Sequence, residues 1–349
     1  MDALSYVDNR VVLVTGAAGT IGGALCERLA PRVKSLRCLD HSENDLFFLH
    51  QRLSRQAPHV APFVGDIRDL DRLRFAMSGV DVVFHTAALK HVGLGEYNPF
   101  EVVQTNLQGL NNVIRAGLDS NVERVVFTSS DKAVNPTNVM GASKMMGERL
   151  VAAANEIRGT HRTRFAAVRF GNVIGSRGSV VPIFAGQMLR GEPVTLTDAE
   201  MTRYVMTVAE AASLVLEAGA QAKGGEVFVT KMRALKVLDL AHAMWTILKG
   251  KGEPRLDFIG ARSGEKLFEE LISTDEMSRT LELERLLVVL SPNAGAYGGA
   301  TAENLSGAKP VTREWHSGKD HLMSRADIVT YLQTHKVLEP FLQSGGLLP

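Results

Sequence analysis

The sequence predicts an α/β fold in which a doubly wound, mostly parallel sheet is joined by a smaller C-terminal substrate-binding domain. Short runs of apolar, β-branched residues alternate with helix-like stretches through the first half of the chain, as expected for buried parallel strands connected by helices. A glycine-rich turn follows the first run, and an acid–amine pair follows a later one. Both lie at strand ends, where open α/β sheets bind their ligands.

Composition excludes several classes of function. The 349 residues include 39 Lys+Arg and 38 Asp+Glu, and a net charge of +1 offers no attraction for nucleic acid or an anionic membrane. No run of about 18 apolar residues occurs, and the N-terminal residues lack the layout of a signal peptide. Cys26 and Cys38 have no metal-ligand spacing and are expected to be small core residues. We therefore expect a cytoplasmic protein that binds no nucleic acid, membrane or metal.

The first predicted strand, residues 11–14, runs into a turn with three glycines and then a helix at residues 23–29. Gly16 suits a tight turn, Gly19 lets the backbone approach a pyrophosphate, and Gly22 lets the helix pack close to the strand. Amides at the start of the helix would face the phosphates. The turn therefore predicts a dinucleotide site with contacts from Gly16, Gly19, Thr20, Ile21 and Gly22.

A carboxylate ends the second predicted strand, residues 35–39. Asp40 follows Gly22 at the distance where an acid accepts hydrogen bonds from the adenosine ribose hydroxyls and opposes the extra phosphate of NADP. No arginine stands in its place. The cofactor is therefore predicted to be NAD, with helix capping as the alternative role for Asp40.

The third and fourth predicted strands, residues 60–64 and 80–85, also end in loops that face the predicted cofactor. An acid just past the third strand commonly meets the adenine in such folds, which assigns Asp66 and Ile67 to the cofactor unless Asp66 is only a helix cap. Small residues after the fourth strand let the backbone lie along the cofactor at Ala87. Two further residues of this loop point either into the crevice, toward substrate, or out to water: Lys90 and His91.

The stretch on which the functional prediction depends follows a fifth strand, residues 124–128. Asp131 and Lys132 are adjacent where that strand ends, and Lys144 lies on the first turns of the next helix, predicted from Ala142 onward. An acid and two amines at this edge of a sheet favour a catalytic site. Ordinary solvated charges on a surface loop are the alternative.

After a sixth strand, residues 165–169, the alternation becomes irregular. We predict a Rossmann-like NAD-binding domain over residues 1–175, with about 205–248 returning to it, and a smaller domain of residues 176–204 and 249–349. Other predicted elements are a long helix at 98–117, a strand at 194–197, a helix at 208–218, a strand at 226–230 that rejoins the large sheet, a helix opened by residues 260–270, a loop at 293–299 and a final helix at 325–334.

Together these residues resemble the extended short-chain dehydrogenase/reductase family, and more closely the nucleotide-sugar 4,6-dehydratases of polysaccharide biosynthesis. The resemblance runs from Val11 to about Leu271, and the chain looks like a short, soluble version, since many relatives carry an N-terminal membrane region. Its most specific motifs are Asp40-His-Ser-Glu-Asn44, Ala87-Ala-Leu-Lys-His-Val92, Ser130-Asp-Lys-Ala133, the segment 135–144, and Gly264-Glu-Lys266.

One position departs from the usual family pattern. Short-chain dehydrogenases carry Tyr four residues before the active-site lysine, and here that position is Met140. A thioether neither donates nor accepts a proton. The retaining UDP-N-acetylglucosamine 4,6-dehydratases look similar in having Met there beside an Asp-Lys pair. Ser130 stands where that family usually has Thr, and it keeps the hydroxyl.

The resemblance implies that UDP-N-acetylglucosamine is oxidised at C4, loses water across C5 and C6, and receives the hydride back at C6, with retention at C5. Lys132 would be the C5 base, Asp131 the acid at C6, and Ser130 a ligand or relay at O4, although Asp131 and Lys132 could exchange roles. Lys144 would hold the nicotinamide ribose. The remaining candidates for the UDP-sugar are Asn172, Arg177, Arg203 and Arg262.

Two other functions remain open. A UDP-sugar 4-epimerase, or another dehydratase of a related sugar nucleotide, needs much of the same site. A non-catalytic NAD-binding regulator is favoured only by Met140. The resemblance also implies a homodimer or higher homo-oligomer, formed through the helices that include residues 105–117 and 142–155.

Overall fold

The structure, a computed structural model, describes residues 4–55, 57–293 and 299–343. Among these residues the chain separates into two units. The first unit comprises Met1–Phe170, Ala211–Lys231 and Ile272–Arg313, and the second comprises Gly171–Glu210, Met232–Leu271 and Glu314–Pro349. The boundaries differ from those expected, because residues 232–248 lie in the second unit and residues 272–313 return to the first.

The strands, in chain order, are β1 (Val11–Thr15), β2 (Ser35–Asp40), β3 (Val60–Val64), β4 (Val82–His85), β5 (Arg124–Ser130), β6 (Arg164–Phe170), β7 (Asn172–Ile174), β8 (Val194–Leu196), β9 (Thr202–Thr207), β10 (Val227–Thr230), β11 (Arg233–Lys236), β12 (Leu256–Phe258), β13 (Thr280–Glu282), β14 (Leu286–Val289) and β15 (Lys309–Pro310).

The α-helices are α1 (Thr20–Leu29), α2 (Glu43–Ser54), α3 (Leu70–Met77), α4 (Val92–Tyr97), α5 (Pro99–Val102), α6 (Gly109–Asp119), α7 (Val139–Ile157), α8 (Val180–Arg190), α9 (Val208–Gln221), α10 (Val237–Lys249), α11 (Thr274–Met277), α12 (Arg325–Thr334) and α13 (Glu339–Gln343). Short 3₁₀ turns occupy Ser5–Val7, Asp131–Ala133 and Ala302–Asn304. Within the described ranges, no helix combines the length and apolar character needed to cross a membrane.

The first unit is built on one large sheet with the order β15-β13-β14-β10-β6-β5-β4-β1-β2-β3. The strands from β3 to β10 pair in parallel, and β14, β13 and β15 extend that sheet with antiparallel pairing. The central strands are buried apolar runs because helices cover both faces of such a sheet. The predicted α/β fold is confirmed, including the return of β10 beside β6.

Two helices of the first unit differ from their predicted form. The single helix expected over residues 98–117 consists of α5, a π-helical stretch at Val103–Gln108, and α6. Helix α7 begins at Val139, three residues before the expected start, because the Asn138 side chain accepts a hydrogen bond from the Gly141 amide and caps it. Both changes bear on the candidate site described below.

The second unit contains the three-stranded sheet β11-β9-β7 and the pair β12-β8. Its apolar core joins side chains of α8, α10 and α12, including Phe184, Met244 and Ile328. The helix predicted to open at residues 260–270 is wrong, since these residues form a loop with turns. Gly260 and Gly264 have φ of 77° and 80°, left-handed values that a right-handed helix does not accommodate. Of the loop predicted at 293–299, residues 294–298 lie outside the described ranges.

Candidate active site

The glycine-rich turn joins β1 to α1 in a space too small for side chains. Gly16 has φ of 67°, and a Cβ there would lie 2.6 Å from the Ala87 amide nitrogen. A Cβ at Gly22 would lie 2.1 Å from the Gly16 carbonyl oxygen. Gly19 is the N-cap of α1, and no side chain caps that helix start. The turn thus brings backbone amides, and the following Thr20 and Ile21, to the end of β1, as a pyrophosphate requires.

Asp40 is fixed beside this turn. The residue is 7% exposed. Its Oδ2 accepts a 3.0 Å hydrogen bond from the Ala18 amide, and Oδ1 accepts one of 3.0 Å from the Ser42 amide. Helix α2 is capped by Ser42, so the capping alternative for Asp40 is wrong. An oriented carboxylate in this position fits the ribose diol of NAD and opposes a 2′-phosphate.

Asp66 and Ile67 follow β3, and their surroundings differ. Asp66 accepts hydrogen bonds from the Arg68 amide at 2.8 Å and guanidinium at 2.7 Å. Although partial burial opposes it, Arg68 holds the pKa of Asp66 below its ordinary value. Helix α3 is capped by Asp69, so the capping alternative for Asp66 is wrong. Ile67 is buried against Gly109, and contact of these two residues with adenine stays a prediction.

The loop after β4 is tied to the glycine-rich turn. Thr86 Oγ1 donates to the Thr15 carbonyl at 2.8 Å, and this places the half-buried Ala87 next to Gly16. Lys90 and His91 are exposed, and partial burial together with the charge of Lys90 lowers the pKa of His91. Their contact with substrate stays a prediction.

The Asp131 carboxylate occupies the centre of the candidate site. It is fully buried at the end of β5, and its Oδ1 accepts from Ser130 Oγ at 3.0 Å and from Lys132 Nζ at 3.0 Å. Its Oδ2 is also buried and has no hydrogen-bond partner among the described residues. The Lys132 side chain keeps 21% of its surface exposed. The three predicted residues therefore form one hydroxyl–carboxylate–amine group with an acceptor atom unused.

Lys144 lies against the same strand from α7. Its Nζ donates a 2.7 Å hydrogen bond to the Thr128 carbonyl and lies 4.7 Å from the centre of the Phe127 ring. Burial lowers the pKa of Lys144 to about 8, an effect that the nearby Glu148 partly opposes. A buried amine whose pKa is lowered in this way, beside the end of a strand, is typical of a functional site.

Met140 is 4% exposed and lies one turn before Lys144 on α7. Its carbonyl accepts a 2.7 Å hydrogen bond from Ser143 Oγ. A Cβ built on Gly95 would lie 3.9 Å from the Met140 Cβ, which puts α4 against this residue. Met140 is thus packed between α7 and α4, and its thioether has no group that moves a proton.

Sequence reasoning missed Asn106, which the π-helical stretch turns toward the site. Its amide exchanges two hydrogen bonds with the backbone of Leu89, at 2.8 and 3.0 Å, and donates to Ser143 Oγ at 2.9 Å. It therefore ties the loop after β4 to α7 near Met140. A polar residue among apolar positions of a predicted helix was the available signal.

His85, at the end of β4, was also missed. Its Nδ1 lies 2.7 Å from Thr15 Oγ1, and its buried Nε2 has no partner among the described residues. Burial, together with the charge of Lys144, lowers the pKa of His85 to about 3. The imidazole is therefore neutral at the pH at which most enzymes work. Lys144, with a pKa of about 8, does change its charge near that pH.

The four residues predicted to bind the diphosphate all belong to the second unit. Arg203 is buried there, and its guanidinium donates to the carbonyls of Thr202 and Lys266 at 2.7 and 2.8 Å and lies 3.7 Å from Glu269. In this structure Arg203 holds the loop that contains the Gly264-Glu-Lys266 motif. Asn172 is half-buried, and Arg177 and Arg262 are exposed in loops. Contact of these residues with a diphosphate stays a prediction.

The chain is similar in sequence to proteins of polysaccharide biosynthesis and to enzymes of sugar nucleotides. The model of a family described as polysaccharide biosynthesis protein matches residues 12–291. The uncharacterized membrane protein MJ1061 of Methanocaldococcus jannaschii is 45% identical over 82% of this chain and 88% of that protein. A UDP-N-acetylglucosamine 4,6-dehydratase (inverting) of Campylobacter jejuni is 39% identical over 80% of this chain and 82% of its own. A UDP-glucose 4-epimerase of Rickettsia canadensis is 37% identical over 80% and 82%.

Solved structures show the same fold. Pen from Bacillus thuringiensis superimposes with a TM-score of 0.88 at 36% identity, covering 95% of this chain and 99% of that one. MoeE5, solved in complex with UDP-glucose and NAD, gives a TM-score of 0.60 at 26% identity over 73% of this chain and 86% of that one. Both solved structures therefore share the architecture of this chain.

Proposed function

The chain belongs to the polysaccharide biosynthesis protein family, within the extended short-chain dehydrogenases/reductases, and from this premise we propose that it is a UDP-N-acetylglucosamine 4,6-dehydratase acting with retention at C5. The cofactor is NAD, held by the glycine-rich turn and by Asp40. One observation carries the proposal. Oδ1 of the buried Asp131 accepts from both Ser130 Oγ and Lys132 Nζ, while Oδ2 has no hydrogen-bond partner among the described residues.

When bound, NAD supplies the hydride acceptor for C4 and the hydride donor for C6. The residues of the chain move the protons. The C4 hydroxyl proton passes through Ser130 Oγ to Asp131, and this leaves the carboxyl group protonated next to the neutral amine of Lys132. Lys132 then takes the C5 proton while Asp131 gives its proton to the C6 hydroxyl, which leaves as water.

The cycle starts from ionised Asp131 and neutral Lys132, and these transfers leave Asp131 ionised and Lys132 protonated, two charges that the 3.0 Å approach of Nζ to Oδ1 stabilises. Return of the proton from Lys132 to C5 completes the cycle, so every proton is accounted for. Exchange of the two roles uses the same contacts and is the alternative assignment.

The proposed retention at C5 rests on the same pair of residues. One base that removes the C5 proton and returns it acts on a single face of the sugar, and Met140 offers no acid for the opposite route. The dehydratase relative from Campylobacter jejuni is named as inverting, so retention is a proposal about this chain. We further propose that the chain works in the cytoplasm.

A homodimer or higher assembly is part of the proposal. Large apolar side chains of α4, α5 and the adjoining π-helical stretch are exposed, with Leu94 at 65%, Tyr97 at 89% and Phe100 at 83%. Exposed apolar side chains of this size favour burial between subunits. Light scattering should report a mass of at least twice 37.9 kDa, and a species of only that mass at working concentration would contradict the assembly.

The competing function is a UDP-sugar 4-epimerase, supported by the relative from Rickettsia canadensis. Epimerisation needs only removal and return of the hydride at C4 and of the C4 hydroxyl proton, which leaves no proton at C5 for Lys132 to take. An NMR product assay distinguishes the two functions. Purified protein is incubated separately with UDP-N-acetylglucosamine and with UDP-glucose, and the products are identified. A 4-keto-6-deoxy sugar nucleotide supports the dehydratase. A C4 isomer supports the epimerase, and unchanged substrates support a regulator that binds NAD without catalysis.

A further inference from the structure

Two hydrogen bonds join the catalytic end of β5 to α7. Lys144 Nζ donates to the Thr128 carbonyl at 2.7 Å, and Ser129 Oγ donates to Glu148 Oε1 at 2.6 Å. The two strand residues, Thr128 and Ser129, are consecutive and lead directly into Ser130 and Asp131. The two helix residues, Lys144 and Glu148, are one turn apart on α7. Together the two bonds fix the distance and rotation of α7 against the catalytic turn.

Glu148 is itself held by a buried arginine of the neighbouring strand β6. Arg169 donates to Glu148 Oε1 from Nε at 3.1 Å and to Oε2 from Nη2 at 2.6 Å. Its other edge donates to Glu276 at 3.0 and 2.9 Å. The arginine side chain is 1% exposed and that of Glu148 is 7% exposed. A planar guanidinium with a carboxylate on each side allows little freedom to either.

Glu276 comes from the segment that returns to the first unit after residue 271. Its Oε2 also accepts the Ser273 amide at 2.9 Å, and Arg279 lies 3.5 Å from Oε1. Burial opposes its ionisation, but Arg169 prevails and lowers the pKa of Glu276 to about 2. The carboxylate is therefore charged whenever the protein is folded at ordinary pH. It anchors Arg169 from a stretch more than a hundred residues later in the chain.

We propose that Glu148 is a positioning residue for the dehydration, which sets the Ser130–Asp131 turn relative to Lys144 and is held in place by Arg169 and Glu276. The inference rests on the proposed function, because that function makes the positioned groups catalytic. Buried ion networks are poor sources of stability, since apolar residues of equal volume often serve as well. The Glu148 carboxylate of this network accepts from Ser129, the residue before Ser130. We therefore assign the charged network to positioning and not to stability.

Two substitutions test the proposal without touching a group that meets substrate. Ser129→Ala removes only the hydroxyl bonded to Glu148, and Glu148→Gln replaces one oxygen with a donor that opposes Arg169. We expect each to lower kcat by about 10–100-fold, as small displacements of reacting groups do, while KM for the sugar nucleotide stays within about twofold.

Asn155→Ala is the matched control. Asn155 is buried two turns further along α7 and exchanges hydrogen bonds with the Phe165 backbone at 2.8 and 3.0 Å. Its loss should lower the melting temperature and leave kcat unchanged. The proposal is overturned if Ser129→Ala and Glu148→Gln keep the wild-type kcat, or if kcat falls in all three variants in proportion to the melting temperature.

A crystal structure of Ser129→Ala supplies a readout that needs no activity. We expect the bond between Lys144 Nζ and the Thr128 carbonyl to lengthen or the Asp131–Lys132 contact to shift. If both remain as in the wild type, positioning by Glu148 is refuted. If instead the wild-type protein turns over no sugar nucleotide, the proposed function fails, and this structural comparison still decides whether Glu148 positions the turn.

Discussion

Lys132 Nζ lies 3.0 Å from Oδ1 of Asp131, its neighbour in the chain. Side chains of consecutive strand residues point to opposite faces, so this contact depends on the 3₁₀ turn at Asp131–Ala133 that ends β5. The Ser130 hydroxyl accepts from the Lys132 amide at 3.3 Å and stabilises that turn. The local backbone therefore builds an acid–base pair from two adjacent residues, with no need for a distant partner.

The first prediction concerns this pair. Asp131→Asn and Lys132→Ala should each lower turnover by about 10²–10⁴-fold, because each removes a group that transfers a proton. The asparagine keeps the shape of Asp131, so its circular dichroism spectrum should match the wild type.

Lys319→Ala is a matched control for this pair, since Lys319 forms a 2.8 Å ion pair with Glu314 on the surface. It should keep full activity. Wild-type turnover in both Asp131→Asn and Lys132→Ala would remove the pair from the mechanism.

Met140 gives a second prediction. Leucine has nearly the same volume and polarity, so Met140→Leu should keep most of the activity if the side chain is only a wall. The backbone carbonyl that accepts from Ser143 is unaffected by the change. A loss comparable to that of Lys132→Ala, in steady-state assays at saturating substrate, would mean that the thioether has a role of its own.

Lys144 gives a third prediction, on pH. Burial lowers its pKa from 10.5 to about 8, so the ammonium is lost from the folded protein above about pH 8. If the charged form holds the nicotinamide ribose, kcat should fall as pH rises through 8. Arginine keeps its charge in this range. A pH–rate profile of Lys144→Arg should therefore lack this fall, even at a lower rate, and an unchanged fall would assign it to another group.

The same shift in the pKa of Lys144 also predicts a change in stability. Between about pH 8 and 10.5 the unfolded chain keeps the Lys144 proton that the folded protein has lost. The unfolded state then binds more protons, so this group's contribution to the free energy of unfolding rises with pH across that window. Denaturant melts at pH 8 and 10 should show wild type gaining stability relative to Lys144→Met. No relative gain would contradict the lowered pKa.

The nucleotide-binding half of the fold was predictable because its signals are local. The turn at Gly16, the acid at Asp40 and the apolar strands each depend on a few neighbouring residues. The motif at Asp131 and Lys132 was likewise readable, although only the structure shows that the two side chains meet. Nothing local indicated that β13 to β15 would extend the large sheet, since short antiparallel strands pair through distant contacts.

Two kinds of residue escaped sequence reasoning for physical reasons. The stretch at 260–270 has helix-like composition, and its glycines adopt left-handed backbone that composition does not reveal. Sequence reasoning also missed Glu148 and Arg169, although a charged residue inside the apolar strand β6 requires buried partners. One of the two partners, Glu276, lies far along the sequence, so spacing alone does not identify it.

The last prediction follows the hydrogen atoms of the reaction. If Lys132 removes the C5 proton and exchanges it with solvent before returning it, turnover in heavy water should place one deuterium at C5. Deuterium that starts at C4 should appear at C6, since the hydride stays within the site. Because removal and return use one face, the product should keep the C5 configuration of the substrate, which NMR coupling constants report. An inverted C5 centre would show that a second acid protonates the opposite face. The mechanism would then need a proton donor from elsewhere in the chain, since Met140 has none to give.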